Sequence, residues 1–208
     1  MFTKLSLTNY QVVVIGVSAG GMQALTQILS ELKSDFPLPI LIVQHLHPKQ
    51  GNFHIEYFNK CSALKVKEAE EKEKITQSVI YFAPPNYHLL VEDDFTFSLS
   101  ADEKVNYCRP AVDVLFDSIL DAYQEKVIGI ILTGANNDGA ASLARLQKIG
   151  ALAIIQDPKE AEFSAMPLFA VQATKNSTIL KLKEIAELLN KMQANNLIIN
   201  KVIIFSNI

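Results

Sequence analysis

Four short apolar runs dominate the pattern of hydrophobic and polar positions along the chain. Each run is rich in β-branched and other aliphatic residues, a pattern typical of strands that are buried on both faces. The runs are 11–15, 39–45, 127–133 and 151–156, and apolar residues at helical spacing predict helices after the first run and near 52–61, 111–124, 139–149 and 181–192. This alternation predicts a doubly wound, Rossmann-like α/β fold, with a mainly parallel sheet and helices on both faces.

Two segments depart from this alternation. Three short apolar segments, 79–83, 88–92 and 95–99, are separated by turn residues, and they predict an antiparallel hairpin margin to the sheet. The C-terminal segment 194–208 carries two apolar runs and is either an extra edge strand or a contact with another subunit. We therefore predict one domain over residues 1–193 and a separate tail.

Ser18 is the first candidate for chemistry, because the first strand delivers it to a turn before a helix. Gly16, Gly20 and Gly21 surround it, and they allow close approach and backbone angles that other residues resist. The sequence matches the G-x-S-x-G pattern of a nucleophilic serine, and its glycines also resemble a phosphate-binding loop. A plain strand-to-helix turn explains the same residues, so other positions must decide.

Functional groups in open parallel sheets gather at the carboxyl ends of the strands. His45 directly follows a strongly apolar strand, whereas His47, His54 and His88 do not, and we predict that His45 is the base. By the same rule, Asp138 in the turn after 127–133 is the acid that orients this base.

Two simpler interpretations of the acid stay open. Asp138 also stands where it can cap the helix near 139–149, and that role alone explains an aspartate there. Asp157 follows another strand and is a rival, although its neighbour Pro158 makes it equally typical of a turn.

Cofactor sites find little support in the sequence. His45 and His47, even with His54, have no carboxylate or thiolate near them in sequence to complete a metal site. No Gly-Lys-Ser/Thr motif follows the first turn, and the second strand ends in Gln44-His45 rather than in an acidic ribose ligand. We predict neither a metal nor another cofactor.

Composition narrows the choice of partners and compartment. The 208 residues carry a net charge of −3, which offers no basic surface for nucleic acid. No apolar stretch approaches the length of a membrane span, and the first ten residues are too polar for a signal peptide. Cys61 and Cys108 form no CxxC motif, so we expect reduced, structural thiols and a cytoplasmic protein.

Several ordered motifs together resemble one family, the catalytic domain of the CheB-type chemotaxis protein-glutamate methylesterases. The resemblance covers about residues 11–193. It rests on Ile15-Gly16-Val17-Ser18-Ala19-Gly20-Gly21, Val43-Gln44-His45, Ala83-Pro84-Pro85-Asn86-Tyr87-His88-Leu89, Arg109-Pro110-Ala111-Val112-Asp113-Val114-Leu115-Phe116, Leu132-Thr133-Gly134 through Asn137-Asp138-Gly139, and Gln156-Asp157-Pro158.

The resemblance implies a serine hydrolase that removes methyl groups from glutamate methyl esters on the cytoplasmic helices of chemoreceptors. In some members it also implies deamidation of receptor glutamine. The family's catalytic triad falls on Ser18, His45 and Asp138, the residues already chosen from their places at strand ends. Backbone amides near Ala19, Gly20 and Ala135 are the expected oxyanion and substrate contacts, and no cofactor is needed.

This chain also departs from the family pattern. Many members have Thr at the position of Ala19 and a pair such as Met-Gly at the position of Ala135-Asn136. Many relatives carry an N-terminal receiver domain, whereas the first strand here begins within about ten residues of Met1. We therefore expect activity that is constitutive or controlled by a separate protein. The alternative is a catalytically weak module of the same fold that binds receptors.

Overall fold

The described residues, 10–45 and 53–191 of this computed structural model, form a seven-stranded parallel sheet and a separate two-stranded antiparallel sheet. The strands are β1 Val12–Val17, β2 Ile40–Gln44, β3 Lys65–Glu68, β4 Val79–Phe82, β5 His88–Val91, β6 Phe97–Ser100, β7 Val127–Ile131, β8 Leu152–Gln156 and β9 Thr178–Leu180. The helices are α1 Gly21–Leu29, α2 Phe53–Cys61, α3 Val112–Tyr123, α4 Ala140–Lys148, α5 Ala165–Ala173 and α6 Leu182–Lys191.

The order of strands in the large sheet is β3-β4-β2-β1-β7-β8-β9. The central strands are buried on both faces, since side chains alternate between two cores. Val12 and Val14 of β1 enter the core that contains α3, α4 and α5, while Val13 and Ile15 enter the core that contains α1 and α6. The doubly wound fold with helices on both faces is therefore confirmed.

The antiparallel element differs in detail from its prediction. Of the three short segments, only β5 and β6 pair in an antiparallel hairpin, and this hairpin is its own sheet rather than a margin of the large one. β4 instead pairs in parallel with β2 and with β3. Its run Val-Ile-Tyr-Phe is almost wholly buried, which suits an inner strand of a parallel sheet.

Three elements are absent from the pattern-based prediction. The edge strands β3 and β9 have four and three residues, too few to show a clear apolar alternation. The helix α5 carries apolar residues on its exposed side as well, including Leu168 and Phe169, so it shows no apolar stripe. These elements depend on their neighbours rather than on a local pattern.

Two of the sequence-based predictions concern residues that the structure does not describe. The tail 194–208 and His47 lie outside the described residues. Across 10–45 and 53–191, no helix is long and apolar enough to cross a membrane.

Candidate active site

Ser18 follows the last residue of β1 and lies on the turn that leads into α1. Its backbone N–H donates to Thr133 O at 3.0 Å, and its own carbonyl accepts from Gly21 N at 2.9 Å. Gly20 precedes α1 with a φ of 77°, a left-handed conformation in which glycine has no steric penalty. These contacts hold Ser18, which is partly exposed, at the carboxyl edge of the sheet.

His45 leaves the neighbouring strand at the same edge. Its backbone N–H donates to Val17 O at 3.1 Å, so the backbones of the β1 and β2 ends are joined beside Ser18. The ring Nε2 lies 2.9 Å from Asp138 Oδ2. Burial works to lower the pKa of His45, but the Asp138 carboxylate and the Cys108 sulfur outweigh burial and raise it to about 9.

Asp138 is completely buried, and hydrogen-bond donors meet both of its carboxylate oxygens. Oδ2 accepts from Val112 N at 2.7 Å besides facing His45, and Oδ1 accepts from Asp113 N at 3.1 Å and from Asn106 Nδ2 at 2.9 Å. Burial would raise the pKa of Asp138, but the hydrogen bonds from His45, Asn106 and Val112 lower it below its usual value. The carboxylate is therefore ionised.

The alternative that Asp138 serves only to cap the helix after it is wrong. Gly139, which has no side chain to accept a hydrogen bond, is the N-cap residue of α4. The Asp138 carboxylate instead accepts from the first two amides of α3, where a negative charge also faces the positive end of the helix dipole. In return, Asp113 of α3 accepts from Ser142 N in the first turn of α4.

The second ring nitrogen of His45 faces polar groups that the sequence analysis did not assign to the site. Asn136 Nδ2 lies 3.2 Å from His45 Nδ1, and Cys108 Sγ lies 3.7 Å from it. Within the part of the chain that the structure describes, Ser18 Oγ makes no hydrogen bond, with His45 or with another residue. Nδ1 is thus the nitrogen that remains for a reaction, and Asn136 covers it.

The predicted oxyanion groups lie on two turns that frame Ser18. Among the described residues, the backbone amides of Ala19, Gly20 and Ala135 donate to no other group. Thr133 Oγ1 donates to Ala19 O at 2.9 Å and ties the first turn to the second. The three amides stay a prediction as oxyanion donors.

The other two histidines that the structure describes, His54 and His88, and the rival acid Asp157 make contacts that support the fold. His54 lies on α2 and packs edge-on against Phe82, with ring centroids 5.3 Å apart. His88 Nδ1 accepts from Ala111 N, and its Nε2 lies 3.0 Å from the Glu103 carbonyl, so it joins the hairpin to the start of α3. Asp157 accepts from Lys159 N at 2.9 Å, as a turn residue does.

His45, Cys108 and Asp138 are also chemically able to bind a metal, since one ligand atom from each lies within 4.8 Å of the others. The two contacts of the ring run to different nitrogens, however: Cys108 faces Nδ1 and Asp138 faces Nε2. One ion cannot take both nitrogens of a single ring. A metal bound to all three residues would have to replace a hydrogen bond of the His45–Asp138 pair.

Sequence reasoning missed three residues around the pair: Asn106, Cys108 and Asn136. The sequence marks Asn136 only as a departure from the family pattern, and it predicts only a structural thiol for Cys108. Asn106 and Cys108 stand just before the Arg109-Pro110 segment of a family motif, and this nearness was the one signal available.

A solved structure with the same fold identifies the class of this protein. The fold matches the crystal structure of the Thermotoga maritima CheB methylesterase catalytic domain with a TM-score of 0.82 and 31% identity, over 88% of this chain and 98% of that one. The protein is thus an α/β hydrolytic enzyme. It belongs to the CheB methylesterase family, whose profile matches residues 13–189.

Two relatives illustrate the range of the family. A protein from Leptospira interrogans, named a putative protein-glutamate methylesterase/protein-glutamine glutaminase, is 48% identical over 91% of this chain and 98% of its own length. A protein-glutamate methylesterase/protein-glutamine glutaminase from Symbiobacterium thermophilum is 34% identical over 87% of this chain but only 50% of its own length.

Proposed function

We propose that the protein removes methyl groups from glutamate methyl esters on chemoreceptor helices in the cytoplasm, by means of Ser18, His45 and Asp138. The observation that carries this proposal is the 2.9 Å contact between His45 Nε2 and the buried Asp138 carboxylate, at the strand edge from which Ser18 emerges. A buried, ionised acid that orients a histidine beside a serine is the arrangement of a nucleophilic hydrolase. The glutamate methyl ester comes from the names of the relatives, and the chemoreceptor target comes from the resemblance to the family.

In this mechanism Ser18 Oγ attacks the carbonyl carbon of the ester side chain while His45 Nδ1 takes the hydroxyl proton. His45 then returns that proton to the departing methoxide, and methanol leaves. In the second step His45 Nδ1 takes a proton from water while the water oxygen attacks the acyl carbon. The bond from that carbon to Ser18 Oγ then breaks, His45 returns the proton to Oγ, and the glutamate side chain is released. Asp138 stabilises the imidazolium through Nε2, so Nε2 faces the acid and Nδ1 faces the reaction.

The oxyanion of both steps develops on the former carbonyl oxygen of the substrate. The amides of Ala19, Gly20 and Ala135, which have no partner within 10–45 and 53–191, are the donors we assign to it. The first two stand at the start of α1, where the helix dipole also favours negative charge. One such donor contributes about 3 kcal/mol to transition-state stabilisation in comparable enzymes.

A protein substrate suits the surface around the site. Tyr107 is 96% exposed and directly precedes Cys108, the neighbour of His45. Phe163, 41% exposed, is tied through its backbone to Thr133 and Gly134, beside the Ser18 turn. Exposed aromatic side chains next to a site are typical of contacts with another protein.

The direct experiment measures methanol release from methylated receptor fragments and ammonia release from fragments that carry glutamine. We expect methanol release, together with covalent labelling of Ser18 by a serine-directed fluorophosphonate probe. Receptor binding without methanol release and without labelling would favour the alternative, a binding module of this fold. The ratio of methanol to ammonia gives the balance between esterase and amidase activity.

The pH dependence of labelling tests the assignment of His45. Only a neutral imidazole accepts a proton, and the pKa of His45 is raised to about 9, so most of the ring is protonated at neutral pH. We expect the second-order rate of fluorophosphonate labelling to rise with pH and to level off above about 9. A rate that is constant from neutral pH upwards, in protein whose circular dichroism is unchanged, would contradict the role of His45.

A further inference from the structure

The side-chain amide of Asn136 is held in one orientation by contacts at both ends. Its Oδ1 accepts from Asp138 N at 3.2 Å, and its Nδ2 lies 3.2 Å from His45 Nδ1. Since a backbone N–H can only donate, the oxygen of this amide must face Asp138 and the NH₂ group must face the ring. Asn136 is therefore a hydrogen-bond donor toward His45.

This orientation restricts the protonation of the ring. A nitrogen that accepts from Asn136 carries a lone pair, so Nδ1 is unprotonated in this contact. At the other side, the ionised Asp138 carboxylate accepts from Nε2, which therefore carries the proton. Both neighbours select the same neutral tautomer, with hydrogen on Nε2 and the lone pair on Nδ1.

We propose that Asn136 is a positioning residue: whenever the ring of His45 is neutral, Asn136 keeps the lone pair on Nδ1 until the hydroxyl of Ser18 replaces the amide there. The proposal rests on the function assigned to His45 above. The exchange is possible because Asn136 Nδ2 has a second acceptor, Cys108 Sγ, at 3.5 Å. When Ser18 takes the lone pair of Nδ1, the amide keeps this partner and its bond to Asp138 N.

Asn136 and the Asp138 carboxylate shift the pKa of His45 in opposite directions. Among the described residues, the groups that face the ring are Asp138 and Asn136 from the turn after β7 and Cys108 from the segment before α3. Asp113 on α3 lies behind Asp138, and both share Asn106 as a donor. The negative charge on Asp138 stabilises the imidazolium, whereas a donor to Nδ1 stabilises the neutral ring.

The test measures the pH dependence of fluorophosphonate labelling for Asn136→Ala in the full chain. Asn136→Ala removes the donor, so we expect the rising limb to move to higher pH by about half a unit to one unit. Asn137→Ala is the matched control, because Asn137 is exposed and its side chain makes no hydrogen bond in the described residues.

Two results would overturn the proposal. If Asn136→Ala labels more slowly at every pH but keeps the midpoint of the wild type, Asn136 has only a structural role. The ring ¹⁵N shifts of His45 in wild-type protein, above its titration midpoint, give a second test that needs no variant to fold. We expect Nδ1 to be unprotonated, and protonation of Nδ1 in the neutral ring contradicts the proposal whether or not the protein releases methanol.

Discussion

Ser18→Ala is expected to lower kcat/KM for methanol release by about 10⁴-fold or more. The substitution removes the only oxygen that we assign as nucleophile, and His45 then has no hydroxyl from which to take a proton. The turn itself should persist, since Ser18 is held through its backbone N–H and carbonyl rather than through its side chain. The loss should therefore appear in kcat rather than in the free energy of unfolding.

Ser30→Ala is the control for this result. Ser30 is exposed and follows the last residue of α1, the helix that begins just after Ser18. This variant should keep kcat/KM within about twofold of the wild type, as is usual for a surface substitution. A loss of less than tenfold in Ser18→Ala, with folding unchanged, would reject Ser18 as the nucleophile.

Asp138→Asn is expected to lower kcat/KM by about 10⁴-fold, because a neutral amide neither selects the Nε2–H tautomer nor stabilises the imidazolium. It should also destabilise the fold. Val112 N, Asp113 N and Asn106 Nδ2 all donate to this carboxylate, and an NH₂ group in place of one oxygen sets donor against donor. A buried donor without an acceptor costs about 1–3 kcal/mol.

Urea unfolding and methanol release separate these two effects of Asp138→Asn. The rate is to be compared at a temperature and urea concentration where the variant is fully folded. Asp157→Asn is the control: among the described residues the Asp157 side chain accepts one hydrogen bond, from Lys159 N, and an asparagine oxygen can accept it as well. If Asp157→Asn lost more activity than Asp138→Asn, the rival acid would be the correct one.

The central part of the fold could be predicted because each element there has a local pattern. The fully buried runs of β1, β2, β7 and β8 show as unbroken apolar segments, since both faces of these strands meet helices. The pairing of β4 with β2, and the helix α5, could not be predicted in the same way. Their residues are apolar without a period, and only contact with neighbours decides what they form.

Some residues of the candidate site could be predicted from the sequence, and others could not. The three residues Ser18, His45 and Asp138 could be chosen because parallel strands end at one edge, and each residue follows a buried strand. The helix whose first amides donate to Asp138 could not be predicted, because these partners on α3 lie more than twenty positions away in the sequence. Asn106, Cys108 and Asn136 enter the site through turns, where no period marks the direction of a side chain.

The sequence by itself determined that the chain forms a mainly parallel α/β sheet, that Ser18, His45 and Asp138 each follow a buried strand, and that the protein resembles one family. These conclusions follow from hydrophobic patterns and ordered motifs, which are properties of short segments. Only the tertiary structure decided that Asp138 lies at the start of α3 and faces Nε2, and that Asn136 and Cys108 cover Nδ1. Hydrogen bonds between distant segments depend on how helices and turns pack against each other. The hydrophobic pattern of a short segment does not contain that information.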